Sequence, residues 1–402
     1  MNQLNVDPFW HKVFESLGRA GASELVANGP GLFFVTHNGV KEKLEAPEMS
    51  LRGYTESIEK NLVPFVKSEL PFDSEGGYIF EGHYKIPGPH GYEGRCHIAL
   101  NPISEIPLIT MTKIGASKST LESIAESGSM STEMMNFLIM AAQSKLTIVL
   151  SGQSGAGKTT TLQALTKYFS PQDRIAVGED LPELKLLHEN AFYLHTMPWK
   201  PGTDPNLVAD LAFVVKQFLR QRPDRVIIGE TRGKEFADFL VACNSGMDGS
   251  LTTLHANDPT SALDKMTRFA LQGSENQPIR SINKEIGTGI DLVVQLGRIK
   301  GRHRVTHIQE ITDTVANADD AKLSSQSLYE YDVLEDNWLK TNMMTDKLKA
   351  KLNLAGANIK PFLSSGVGVR LAKHAASRPP QNPNREEGPG FGGSSNPFGR
   401  QI

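Results

Sequence analysis

The feature that most constrains this chain is a glycine-rich segment that joins an apolar run to a run favouring helix. Residues 152–159 read GQSGAGKT and match the pattern G-x-x-x-x-G-K-[ST] at every fixed position. The apolar run KLTIVL precedes the segment, and TTTLQALTKYF follows its lysine. A strand, a loop and a helix in this order are the context in which such a loop holds phosphate. The sequence therefore predicts a phosphate-binding loop at residues 152–159.

The residue types of this loop suit a nucleotide triphosphate with Mg²⁺. Gly152, Gly155 and Gly157 allow the backbone to curl so that successive amides face an anion. The following helix adds its positive N-terminal end. Lys158 can reach the β- and γ-phosphates, and Thr159 offers a hydroxyl to the cation. We therefore expect ATP and Mg²⁺ as ligands. The predicted binding residues are Gly152, Gln153, Ser154, Gly155, Ala156, Gly157, Lys158, Thr159 and Thr160.

Two apolar strands near this loop are predicted to end in acidic residues. RIAVGED brings Glu179 to the end of one strand, and RVIIGE brings Glu230 to the end of another. The second run resembles a Walker B strand, but Gly229 stands where most P-loop ATPases carry a metal-binding aspartate. Ligands bind at the carboxyl ends of parallel strands. Glu230 is therefore predicted to polarise the attacking water and to help Thr159 hold Mg²⁺, with Glu179 as an additional acid.

A histidine follows a further short strand, SLTTL, at residues 250–254. His255 is predicted to lie beside the nucleotide and to contact the γ-phosphate. A structural role without contact to the ligand is the alternative for this side chain, and a solvated acidic loop is the alternative for Glu179.

Composition narrows the class of protein. The chain has 402 residues, 39% hydrophobic, and a formal net charge of −3. Domains held to nucleic acid by bulk charge are usually strongly basic, which this chain is not. Its two cysteines, Cys96 and Cys243, form no CxxC metal pattern and suggest a reducing, cytoplasmic compartment. No signal-peptide pattern and no apolar run of about 18 residues is present, so no membrane span is expected.

Four segments taken together resemble the secretion ATPase superfamily of type II and type IV secretion systems and type IV pili. They are GQSGAGKT, GEDLPEL, RPDRVIIGETRG and GMDGSLTTLHAND, in the family's order. Glycine before the Walker B glutamate is usual in that family. The stretch ASELVANGPGLFFVTHNGV is similar to the first domain of the type IV secretion branch.

This resemblance implies a specific fold and domain order. The fold class is α/β: a RecA-like P-loop ATPase domain with a parallel-rich sheet, preceded by a smaller α+β N-terminal domain. The predicted boundaries are 1–115 for the N-terminal domain, 116–132 for a flexible linker, 133–312 for the ATPase domain and 313–371 for a C-terminal extension. The tail at 372–402 is rich in proline and glycine and poor in apolar residues, and we expect it to be disordered.

The resemblance also implies a function and an assembly. A homo-hexamer would hydrolyse ATP at the cytoplasmic face of the inner membrane. It would dock on membrane-embedded secretion-system proteins, with a coupling protein as a further candidate partner. Arginines of the N-terminal domain would complete the site, with Arg95 preferred over Arg52. Arg220, Arg222 and Arg232 flank the Walker B strand and are further candidates.

Other functions remain open at the level of sequence. A type IV pilus or type II secretion assembly ATPase shares the same four segments. A RecA-like nucleic-acid motor shares the ATPase core, but basic loops with stacking aromatic residues are not evident. A non-hydrolysing nucleotide switch would not need Lys158, Thr159 and Glu230 together.

Substitutions of Glu230 and Lys158 test the roles predicted for these residues in hydrolysis. Glu230→Gln is expected to leave nucleotide binding nearly intact and to abolish turnover, because an amide cannot accept the proton of the attacking water. Lys158→Ala is expected to lose hydrolysis because it removes the ammonium that meets the phosphates. Phosphate release and nucleotide binding are measured on both variants. Turnover that survives in Glu230→Gln would show that this carboxylate is not the base.

Overall fold

The computed structural model describes residues 5–37, 40–68, 79–87, 91–101, 103–114, 119–197, 208–274, 276–312, 323–364 and 366–371. The tail predicted to be disordered, at 372–402, lies outside these residues. Within the described ranges, no helix combines the length and the apolar character needed to cross a bilayer. The strands form two sheets. Residues 22–114 contribute the strands of the first sheet, and residues 148–371 contribute those of the second.

The N-terminal sheet is antiparallel and has seven strands in the order β3-β2-β1-β7-β6-β5-β4. Its strands are β1 (Ala22–Ala27), β2 (Phe33–His37), β3 (Val40–Leu44), β4 (Val66–Ser68), β5 (Ile79–Ile86), β6 (Tyr92–Ala99) and β7 (Leu108–Ile114). Helices α1 (Pro8–Gly18) and α2 (Leu51–Asn61) accompany it. The apolar side of α1 packs into one buried cluster with both the sheet and α2, and Trp10, Phe33 and Tyr54 are part of that cluster. The expected α+β unit is therefore present.

The second sheet has ten strands in the order β10-β9-β11-β12-β8-β13-β14-β15-β16-β17. Its strands are β8 (Ile148–Gly152), β9 (Ile175–Glu179), β10 (Ala191–His195), β11 (Arg225–Ile228), β12 (Leu251–Leu254), β13 (Leu292–Ile299), β14 (Arg302–Ile311), β15 (Ser325–Asp332), β16 (Asn337–Lys340) and β17 (Arg370–Leu371). The first six in spatial order run parallel, and the remaining pairs are antiparallel. The predicted α/β class with a parallel-rich sheet is confirmed.

Helices cover both faces of the ten-stranded sheet. They are α3 (Leu121–Glu126), α4 (Thr132–Gln143), α5 (Lys158–Thr166), α6 (Leu211–Gln221), α7 (Glu235–Asn244), α8 (Pro259–Gly273), α9 (Ile279–Gly289), α10 (Asp346–Leu354) and α11 (Lys360–Ser364). Leu150 faces a core shared with α3, α4 and α5, whereas Val149 faces a core shared with α6 to α9. Because both faces are buried, the central strands are continuous apolar runs, as parallel strands usually are.

The region after residue 312 continues the second sheet. Strand β15 pairs with β14, and β16 pairs with β15. Trp338, Leu352 and Phe362 are buried in the same core as Phe137 of α4. The ten-stranded sheet therefore extends past the boundary expected at 312. Few residues of β15, SQSLYEYD, are apolar, and its buried residues are Leu328, Tyr329 and Tyr331.

The segment at 116–132, interpreted from sequence as a linker, contains a short helix. In α3, a capping box between Thr120 and Ser123 closes the first turn, and Leu121 is fully buried. Residues 115–118 lie outside the described ranges. The flexibility expected of this segment stays a prediction.

Removal of the Trp338 side chain is expected to destabilise the ATPase core. Trp338 is 2% exposed, and its Nε1 donates a hydrogen bond to the Val305 carbonyl of β14 at 2.7 Å. Trp338→Ala should lower the free energy of unfolding by about 3–5 kcal/mol, through lost burial and a cavity. Leu334→Ala, at an exposed hairpin tip, serves as the control and should change little. Equal denaturation midpoints for the two variants would contradict a role of β16 in the core.

Candidate nucleotide-binding site

Strand register brings the predicted site residues to one edge of the sheet. Strands β9, β11, β12 and β8 are adjacent and parallel, with Ile228 opposite Gly178 and Leu254 opposite Ser151. The residues that follow these positions therefore emerge together at the carboxyl edge. Four segments far apart in the chain meet there, at the position where open parallel sheets bind ligands.

The phosphate loop has the backbone geometry that its glycines predict. Gly152, Gly155 and Gly157 all have positive φ, and α5 begins directly at Lys158. A Cβ atom at Gly152 would lie 2.4 Å from the Leu296 carbonyl oxygen of β13. Only glycine fits at this position, because both the φ of +155° and the close approach exclude a side chain.

Lys158 connects the loop to the other predicted residues. Its Nζ donates to the carbonyl oxygens of Gly152 and Gln153 at 3.0 and 3.1 Å, and lies 3.3 Å from His255 Nδ1. His255 Nε2 in turn lies 3.2 Å from Glu230 Oε1. Lys158, His255 and Glu230 thus form a continuous polar chain in the described structure, although the sequence separates them by up to 97 residues.

The protonation state of His255 follows from its burial and from its neighbours Glu230 and Lys158. Burial lowers the pKa of His255 despite the nearby Glu230 carboxylate, so the ring is neutral at pH 7. With its proton on Nε2, His255 donates to Glu230, and Nδ1 accepts from Lys158. Burial also lowers the pKa of Lys158, and the Glu230 charge opposes that shift.

Arg232 holds the Glu230 carboxylate in its ionised form. Its Nε and one terminal nitrogen donate to the two Glu230 oxygens at 2.8 and 3.3 Å. Burial favours the neutral acid, but the hydrogen bonds and charge of Arg232, followed by His255 and Lys158, outweigh it and lower the pKa of Glu230. Arg232 also lies 3.6 Å from Asp180. An ionised carboxylate is the form that can accept a proton from water.

Glu179 occupies the space that the Walker B glycine leaves open. A Cβ atom at Gly229 would lie 3.1 Å from Glu179 Cγ and 3.2 Å from its Oε1. A side chain at position 229 would therefore displace the Glu179 carboxyl group. Glu179 therefore lies beside position 229 of the Walker B strand, where most P-loop ATPases carry an aspartate.

The two oxygens of Glu179 have different surroundings. Oε1 accepts hydrogen bonds from the backbone amides of Glu183 and Leu184 at 3.1 and 2.9 Å. Oε2 is buried and has no hydrogen-bond partner among the described residues. Burial raises the pKa of Glu179 to about 8, against the opposing effect of the two amides. At neutral pH this carboxyl group is therefore largely protonated in the ligand-free protein.

Arg95 reaches the same cleft from the N-terminal sheet. Its guanidinium donates to Glu183 Oε1 at 2.8 Å, and Arg95 lines a small cavity of about 40 Å³ together with Thr159, Glu179 and Glu230. A second ion pair, Lys185 with Glu93, joins the two sheets nearby. The other candidate, Arg52, is highly exposed on α2 and pairs with Glu56.

A larger cavity of about 250 Å³ also borders the phosphate loop. Gly157 and Thr160 form one wall, α3 contributes Ile124, and the β13–β14 hairpin contributes Leu296. Sequence reasoning missed this cavity. Its walls come from three separate segments, and of these three only the phosphate loop carries a recognisable motif.

The sequence is similar to those of known proteins. Residues 93–343 match the family described as type II/IV secretion system protein. The conjugal transfer protein TrbB of Rhizobium radiobacter is 31% identical over 252 residues, which cover 61% of this chain and 68% of that protein. The type IV secretion system protein PtlH of Bordetella pertussis is 33% identical over 178 residues, which cover 43% of this chain and 52% of that protein.

Solved structures share the fold at low sequence identity. The ATPase DotB of Legionella pneumophila superposes with a TM-score of 0.53 at 16% identity, over 86% of this chain and 85% of that one. At this identity the likeness concerns the fold alone.

The pKa of Glu179 makes stability depend on pH. Because the pKa of this acid is about 8 in the folded chain and about 4.3 in an unfolded one, its stabilising contribution is complete at low pH and disappears as pH rises to about 8. Glu179→Gln lacks this loss. Its Tm advantage over the ligand-free wild type should grow by roughly 5 °C between about pH 5 and about pH 8. Glu59→Gln, on the exposed face of α2, is the control, and a Tm difference independent of pH would contradict the burial argument.

Proposed function

Because the chain belongs to the type II/IV secretion system protein family, in its type IV branch, we propose that it is the hexameric ATPase motor of a conjugation or effector-export machine. The proposal rests on one observation. Lys158 of the phosphate loop, His255 and the ionised Glu230 form one hydrogen-bonded chain at the carboxyl edge of a parallel sheet. Each member is a residue type that ATP hydrolysis uses.

The residues present fit a magnesium ion beside the phosphate loop. Thr159, Glu179 and Glu230 line the same small cavity and provide oxygen ligands, which Mg²⁺ prefers. Glu179 Oε2 is buried and accepts no hydrogen bond from the described residues, with His195 Nε2 at 4.0 Å, so it is open to a ligand. We assign Thr159 and Glu230 to the ion, directly or through water, with Glu179 as a further ligand. The ion would neutralise charge on the phosphates.

The protein groups around the phosphates divide the work of hydrolysis. On nucleotide binding, Lys158 exchanges the Gly152 and Gln153 carbonyls for phosphate oxygens. Glu230 orients the attacking water and accepts its proton, which requires that Arg232 give up at least one of its two hydrogen bonds. His255 then lies between Lys158 and Glu230, where the γ-phosphate arrives. Arg95 supplies a positive charge from the N-terminal domain.

The cavity beside Thr160 suits the base of the nucleotide. Thr160 lines this cavity, and the preceding residue, Thr159, lines the cavity that contains Glu230, so a nucleotide with its γ-phosphate near Glu230 would extend from one cavity to the other. Ile124, Leu296 and Val305 provide apolar contact for a flat ring system. Its volume of about 250 Å³ accommodates a purine.

At the level of the machine, we propose a ring of six chains at the cytoplasmic face of the inner membrane, docked on membrane-embedded secretion proteins. The match to a conjugal transfer protein and to a type IV secretion protein supports conjugation or effector export over pilus assembly and type II secretion. A nucleic-acid motor is the alternative from another class, and stimulation of turnover by DNA would distinguish it.

Phosphate release and native mass measurement on the purified full chain test this proposal together. With Mg-ATP we expect steady hydrolysis, no stimulation by DNA and a species with the mass of six chains. Inorganic triphosphate should be hydrolysed with a KM at least about tenfold higher than that of ATP, because it makes no contact in the base cavity. Absence of hydrolysis by a folded ring would refute the motor, and equal KM values would refute the base cavity.

A further inference from the structure

A buried glutamine lies beside the phosphate loop, and no motif includes it. Gln295 is on β13 and is 3% exposed. It pairs in register with Ser151, the residue before Gly152, and Ser151 pairs with Leu254, the residue before His255. In-register neighbours on parallel strands point to the same face. Gln295, Ser151 and Leu254 therefore form a row across three strands, directly beneath the nucleotide site.

The Gln295 side chain reaches across this row to the segment that carries the histidine. Its Nε2 donates to the Ala256 carbonyl oxygen at 3.2 Å. Lys265 of α8 donates to the adjacent carbonyl, that of His255, at 2.5 Å. Two side chains from separate elements thus hold the two consecutive carbonyls that flank the Cα atom of Ala256.

The rest of the row leaves polar atoms unsatisfied. Gln295 Oε1 and Ser151 Oγ are buried and have no partner among the described residues. Unsatisfied buried polar atoms are unfavourable, and most are avoided in native structures. An apolar side chain of similar length at position 295 would avoid that penalty. The hydrogen bond to Ala256 is therefore the contact that requires an amide here.

Gln295 also directly precedes a residue that lines the cavity proposed for the base. Its backbone carbonyl accepts a hydrogen bond from Thr306 across the β13–β14 hairpin at 3.3 Å. The next residue, Leu296, lines the cavity of about 250 Å³ and places its carbonyl against Gly152. Gln295 is thus joined by one peptide to the base cavity and by one hydrogen bond to the histidine segment.

We propose that Gln295 is a positioning residue for hydrolysis, which holds the Ala256 carbonyl so that the His255 ring stays between Lys158 and Glu230. This inference deepens the proposed function and rests on it. Without the amide, the Ala256 carbonyl loses its donor, and His255 no longer presents Nε2 to Glu230 at a fixed distance. Nucleotide binding depends on the loop and on the base cavity, so it is largely preserved.

Two variants of Gln295 and one matched control test this proposal. Gln295→Met keeps the length and removes the donor, and Gln309→Met makes the same change on β14, where Gln309 contacts Ser325 instead. We expect kcat for ATP hydrolysis to fall about tenfold or more in Gln295→Met, with KM and ADP affinity within about twofold of wild type. Gln309→Met should match wild type in both.

Gln295→Glu adds a readout that a packing role would not produce. The neutral acid can donate to the Ala256 carbonyl, but the ionised form cannot, and burial raises the pKa of a carboxyl group. The kcat of Gln295→Glu should therefore recover toward that of wild type as pH falls, whereas Gln295→Met should not recover.

A variant at a half-buried position covers the case in which position 295 tolerates no change. Lys265→Met removes the other donor to this segment and should also lower kcat more than it raises KM. The inference is refuted if wild type hydrolyses ATP and either Gln295→Met or Lys265→Met retains kcat within about twofold. It is also refuted if kcat, KM and Tm of Gln295→Met all deteriorate together. Absence of hydrolysis by wild type would instead refute the proposed function.

Discussion

The parallel register of β9, β11, β12 and β8 is the constraint on which the site depends. Because Ile228 lies opposite Gly178 and Leu254 lies opposite Ser151, the next residues of all four strands reach the same edge at the same height. A shift of a strand by one residue would send its side chains to the other face. The apolar residues on both faces of these strands oppose such a shift, so the core that stabilises the sheet also aligns the site.

In the ligand-free site, the charged side chains are already paired with one another or with backbone carbonyls. Lys158 is held by loop carbonyls, Glu230 by Arg232, and neutral His255 lies between the two. Glu179 differs because burial keeps it largely protonated, and its Oε2 atom accepts no hydrogen bond from the described residues. A bound nucleotide with its cation would replace these internal partners rather than enter an empty, charged cleft. Exchange of existing contacts keeps the cost of burying these charges low before the ligand arrives.

The two sheets meet at the nucleotide site. Arg95 of β6 pairs with Glu183, two residues before Lys185, which pairs with Glu93. Both contacts involve the segment that follows Glu179, so a movement of the N-terminal sheet would act directly on the acid that lies against Gly229. Strands β15 and β16 extend the second sheet and bury Trp338 against β14, whose hairpin with β13 lines the cavity of about 250 Å³.

The sequence by itself determined the phosphate loop, the α/β class and the acids at the ends of two strands. These features are local: glycine spacing, apolar runs and the residue that follows each run are visible in a few consecutive positions. The prediction that an arginine of the N-terminal domain completes the site came from the resemblance to a family, and the preference for Arg95 over Arg52 came from its place in the short strand motif GRCHIAL.

Only the tertiary structure decided which residues touch. That Glu179 fills the space left by Gly229 and that Gln295 reaches Ala256 each depend on strands separated by tens of residues. Sequence reasoning also missed the continuation of the sheet beyond residue 312, because strands such as β15 contain few apolar residues. Local pattern records what each segment prefers, whereas contacts at a site depend on register and strand order, which the packing of the whole core selects.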